Sequence, residues 1–80
     1  MRPPTEIEAW YLECLRRLTA HYKRLPKINE LAVYCDRAVF PTWQALCRLE
    51  RIGKVRRVLV GGPGQGERAR YRFQIIGEEL

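Results

Sequence analysis

Eighty residues, 46% hydrophobic and 30% charged, are enough for one small folded domain with a single core, and they exclude a disordered chain, which carries less apolar surface and more net charge. No apolar run approaches a membrane span or the apolar core of a signal peptide, so a soluble cytoplasmic or nucleoid-associated protein with no membrane partner is expected. The net charge of +6 is uneven: residues 1–36 carry +1, residues 37–72 carry +7 and residues 73–80 carry −2, the pattern of a small basic domain that meets a polyanion.

Thr5-Glu6-Ile7-Glu8 has the form of a capping box, in which the Thr5 hydroxyl accepts from the Glu8 amide while the Glu8 carboxylate reaches back. Ile7, Trp10, Tyr11, Cys14, Leu15, Leu18 and Tyr22 then recur at three- and four-residue spacing, which predicts a first helix over about 5–23 with these side chains inward. Leu25-Pro26 ends it, because proline has no N–H to donate and pushes the preceding residue out of the α region. A second helix is expected over about 28–35, with Leu31, Ala32 and Cys35 inward and Asn29 as the nearest side chain able to cap its start. Asp36-Arg37-Ala38 interrupts the pattern. A third helix over about 40–52 takes Pro41 in its first turn, and Gly53 suits the left-handed residue that ends it. Thr42, Ala45, Leu46, Leu49 and Ile52 form its inward stripe, which turns Trp43, Gln44, Cys47, Arg48 and Arg51 outward.

Beyond Gly53 the period changes from 3.6 to 2. Strands are predicted over about 55–60 and 69–76, with Tyr71, Phe73 and Ile75 facing a core and Arg70, Arg72 and Gln74 facing solvent or a ligand. The glycine-rich stretch 61–68 joins strand to strand and reads as a hairpin loop. A phosphate-cradling loop would instead run from a strand into a helix. The expected fold class is α+β, three helices followed by a two-stranded antiparallel hairpin.

Nothing in the chain meets the requirements of an enzyme. Cys14, Cys35 and Cys47 form no C-x-x-C pair, His21 is the only histidine, and there is no serine, so no nucleophile stands in a recognisable context with a base and an acid. No catalytic residue, metal, cofactor or small-molecule substrate is expected. The cysteines read as small reduced apolar side chains, and His21 as a surface or partly buried imidazole.

Glu30-Leu31-Ala32, Leu46, Leu49-Glu50, Gly53 and Val55 fall, without a gap, on the pattern E-[LI]-A…L-x-x-L-E-x-x-G-x-[IV] of bacterial winged-helix regulators. The chain resembles a winged helix-turn-helix domain, and most of all the N-terminal DNA-binding domain of LexA-type repressors, over nearly its whole length. The match does not extend to the self-cleaving, dimerising second domain of those repressors and implies neither of its properties. It departs from the family at Lys27, where a Ser or Thr cap is usual, at Arg37, where an apolar turn residue is usual, and at Ala38 to Trp43, which replace a more polar helix start.

The resemblance implies sequence-specific binding to double-stranded DNA by a small transcriptional regulator of bacterial or phage type. Its recognition helix would present Phe40, Trp43, Gln44, Cys47, Arg48 and Arg51 to the major groove, with Gln44 suited to adenine, Arg48 to guanine or a phosphate, and Phe40 and Trp43 to thymine methyls or sugars. Its wing and strands would bring Lys54, Arg56, Arg57, Arg68, Arg70 and Arg72 to the phosphate backbone. Neutralising about five phosphates corresponds to a log–log salt slope of roughly −4 to −5. A dimer, or work beside a protein partner, is expected because one small reading head has limited specificity, with Trp10, Tyr11, Tyr22 or Trp43 as candidate dimer surfaces. The alternatives keep the fold and change the role: a protein-interaction module using the ribbon with Phe40 and Trp43, or an architectural or recombination accessory factor that bends DNA.

Overall fold

The computed structural model describes residues 2–60 and 71–78. Three helices, α1 (Glu6–Tyr22), α2 (Ile28–Cys35) and α3 (Val39–Arg51), precede two antiparallel strands, β1 (Val55–Leu59) and β2 (Tyr71–Ile75), in an α+β layout. The predicted loop 61–68 and the start of the second predicted strand lie outside the described residues.

The capping box of α1 forms as expected. The Glu8 amide donates to the Thr5 hydroxyl at 3.3 Å, and the Thr5 amide donates to the Glu8 carboxylate at 3.0 Å. Arg2 adds a bidentate pair at 2.6 and 2.8 Å, so this buried carboxylate is fully satisfied. The hydrogen bonds from Arg2 and from the Thr5 backbone hold the Glu8 carboxyl far below the usual carboxylate range, at about 2. At α2, Lys27 supplies no side-chain cap and Asn29 lies inside the helix. The carboxylate of Glu30 does the work instead, accepting from the Lys27 amide at 2.7 Å and from Arg24 at 2.8 and 3.0 Å.

α1 and α2 both end in the left-handed region without glycine, at Lys23 and Asp36, each with φ 56°. The amides of Asp36 and Arg37 take the carbonyls of Val33 and Ala32, which satisfies the end of α2. α3 ends as its glycine predicts: Gly53, at φ 76°, donates to Glu50, and Lys54 donates to Leu49, closing a complete Schellman motif.

The core lies where the inward faces of the three helices meet one face of the sheet. Tyr11, Leu15 and Leu18 from α1, Leu31 from α2, and Leu46 and Leu49 from α3 pack with Val55, Phe73 and Ile75. The first helix buries a narrower stripe than its periodicity suggested, because Ile7, Trp10 and Tyr22 remain exposed. Thr42 is fully buried despite its hydroxyl, which returns to the Ala38 carbonyl at 2.9 Å and so leaves no polar atom unsatisfied. Cys14 and Cys35 are buried and free, and burial together with the neighbouring Cys14 pushes the Cys35 thiol up to about 12.

Val55, Arg57 and Leu59 pair with Ile75, Phe73 and Tyr71 on one face of the sheet, while Arg56 and Val58 pair with Gln74 and Arg72 on the other. Two expectations for this second face are corrected. Gln74 is buried, because Arg56 lies across it and donates to its side-chain oxygen at 2.8 Å. Arg72 is half-buried and donates to the Leu25 carbonyl at 3.0 Å, tying the sheet to the segment between α1 and α2.

Candidate functional site

The outer face of α3 brings six predicted residues together. Phe40, Trp43, Gln44, Cys47, Arg48 and Arg51 line one open depression of about 340 Å³. They do so because the helix spacings 3 and 4 align them on the side opposite Thr42, Ala45, Leu46 and Leu49, which are held in the core. Phe40 is 53% exposed in the first turn. Gln44, Arg48 and Arg51 are exposed along the same side.

Within this face the structure divides roles that residue spacing alone had left equal. Trp43 is half-buried: its ring meets Phe73 edge-on at 5.3 Å, and Arg57 lies 5.1 Å above it. Arg57 also pairs with Glu50 at 2.9 Å and donates to the Cys47 sulfur at 3.3 Å. Trp43, Cys47 and Arg57 thus form the seam between α3 and the sheet, and Trp43 does not stand out as the solvent-facing side chain that helical spacing predicted.

The other predicted cations separate similarly. Arg48, Arg51 and Lys54 are exposed and, among the described residues, make no side-chain hydrogen bond or ion pair. Arg56 shares its guanidinium with Gln74, and Arg72 is committed to Leu25. Arg56 and Arg57, adjacent in sequence, point to opposite faces of the sheet and so do not form one ribbon surface. Arg68 and Arg70 lie outside the described residues. Residues 38–60 hold five basic side chains against the single acid Glu50, which pairs with Arg57, so this stretch of the chain is net positive.

A smaller hollow of about 140 Å³ between α1 and β2 is floored by Ala20, Leu25 and Ile75 and bridged by the Arg16–Glu78 ion pair at 2.8 Å. Among the described residues there is no cluster of three histidine, cysteine, aspartate or glutamate side chains able to hold a metal, and no helix long and apolar enough to cross a membrane.

One feature was not read from spacing: the apolar corner at the turn between α2 and α3. Val33 is 81% exposed, and Tyr34, Val39 and Phe40 stand out beside it, with Trp10 of α1 approached by Arg37 at 5.2 Å. Val33 and Tyr34 in the short α2 lie opposite Leu31 and Ala32, a signal that was present in the helical pattern. The chain matches no protein-family model, no curated protein and no solved structure.

Proposed function

We propose that this protein is a winged helix-turn-helix module that reads double-stranded DNA in sequence-specific fashion, with α3 as its recognition helix, and acts as a small transcriptional regulator. The observation that carries the reading is the composition of one helix face: Gln44, an amide able to pair bidentately with adenine, sits between an exposed aromatic and Arg48, with the exposed cations Arg51 and Lys54 following. The three-helix and two-strand order, together with the pattern from Glu30 to Val55, favours the same fold reading. Arg48 and Gln44 would address base edges, and Arg51 and Lys54 the flanking phosphates.

Selection of bound duplexes from a random pool, at low and near-physiological salt, tests the proposal. A recovered motif supports it, and a repeat with half-sites about one helical turn apart adds a dimer. Binding only at low salt with no motif would reduce the face to a general polyanion surface.

A second reading is favoured by the exposed apolar side chains Val33 and Tyr34 of α2 and Val39 and Phe40 of α3, which suit a protein contact, either with a second copy or with another regulator. Tyr11 drops out as a dimer contact because it is buried. Under this reading Val33→Asp abolishes a complex formed without DNA.

A further inference from the structure

The reading row of α3 changes chemistry from end to end, and this gradient carries an inference that rests on the DNA-reading proposal. Phe40, Gln44 and Arg48 follow one another at four-residue steps and line the same depression. Each step advances about 6 Å along a helix, so the apolar, amide and cationic ends are separate enough to meet different base pairs. The apolar end is Phe40, the more exposed of the two aromatics at 53%, whereas Trp43 is half-buried against Phe73 and beneath Arg57. Val39, also partly exposed, widens the apolar end beside Phe40.

Base edges in the major groove are lined mostly by hydrogen-bonding groups, and the one bulky apolar group among them is the methyl at C5 of thymine. Cytosine acquires the same group, in the same place, when methylated at C5. We infer that Phe40 reads a C5-methylpyrimidine at the edge of the site, beside the base pair that faces Gln44. The ligand class is thus a methylated pyrimidine in duplex DNA, supplied by thymine or by 5-methylcytosine. Polar groups at this position would be disfavoured, since the phenyl ring offers them no partner.

The test starts from the duplex recovered by selection. Each thymine is replaced singly by deoxyuridine, which deletes the methyl and nothing else, and affinity is read by fluorescence anisotropy. At one or two positions the wild-type protein should bind the uracil duplex roughly fourfold more weakly, the worth of one buried methyl group. Phe40→Ala should bind the two duplexes within about twofold of each other, since the partner of the methyl is gone. Phe40→Leu, which keeps an apolar end, should retain the thymine preference, and thermal melting should show both variants folded.

At the sensitive position, cytosine and 5-methylcytosine opposite guanine then separate the two sources. Tighter binding of the methylated base shows that the methyl itself is read, while equal binding alongside a uracil penalty assigns the occupant as thymine. Equal affinity for thymine and uracil at every position overturns the inference, as does a uracil penalty that Phe40→Ala leaves intact. A pool that yields no motif removes the DNA-reading proposal and this inference with it, whereas a motif indifferent to the methyl removes the inference alone.

Discussion

Single residues decide how this chain responds to acid and where it is strained. Glu8 and Glu30 each close a helix start and each pair with an arginine, and both carboxyls are held down to about 2. A folded-state value below the unfolded one means that the stabilisation is complete above the unfolded carboxylate range and is lost as pH falls toward the folded value. Stability measured by denaturant should therefore be flat near neutrality and decline from about pH 5 toward pH 2. Glu8→Gln should be less stable at pH 7 and show a shallower decline, and an unchanged profile would show that the Arg2 pair contributes nothing. Strain appears at Lys23, whose left-handed φ of 56° is unfavourable for a side chain with no local hydrogen bond to offer. Lys23→Gly should stabilise by about 1 kcal/mol, a rise of roughly 4–8 °C in Tm for a domain of this size. Asp36→Gly should gain less, because aspartate tolerates this region better than lysine does. Glu8 was legible from the capping box and the two helix ends from Leu25-Pro26 and the break after Cys35, but the left-handed conformation of Lys23 and Asp36 was not, since no glycine marks it.

At the scale of elements, α3 buries one face in the core and leaves the other open, with Trp43 at the border between them. Its inward stripe and its glycine stop were legible because the 3.6-residue period, Pro41 and Gly53 agree with one another. The starting residue was not: Val39 opens the helix one position earlier than the apolar pattern suggested, as Ala38 remains extended. Likewise the alternation in β2 placed Phe73 and Ile75 correctly but sent Gln74 to solvent, since period 2 registers direction and not the long Arg56 side chain lying across the strand pair. The seam of Trp43, Phe73, Arg57 and Glu50 joins α3 to the sheet. Trp43→Ala should cost about 2 kcal/mol or more of stability by opening this junction, whereas Phe40→Ala should stay within about 0.5 kcal/mol of wild type. Thermal melts of the two variants check this. A destabilised Phe40→Ala beside an unaffected Trp43→Ala would reverse the assignment of the two aromatics.

Among the described residues of the whole molecule, most of the exposed cations of the basic half lie on α3 and around β1, and fewer of them are open than counting arginines suggested. Arg57 and Arg72 are drawn into contacts that hold the sheet to the helices, and sequence could not reveal this because their partners, Glu50 and the Leu25 carbonyl, are chosen by packing. Arg51→Ala or Lys54→Ala should each lessen the salt slope of DNA binding by about 1 while preserving base preference. Arg57→Ala should act chiefly through stability. The central claim is that the outer face of α3 is the surface that meets DNA. An amide chemical-shift titration of the ¹⁵N-labelled protein with its selected duplex tests it most directly. Saturable shifts centred on Phe40, Gln44, Arg48 and Arg51, with Lys54 at their margin and Glu13 of α1 unmoved, are the predicted result. Saturable shifts centred instead on Trp10, Val33 and Tyr34, with α3 beyond its first turn unaffected, would contradict it.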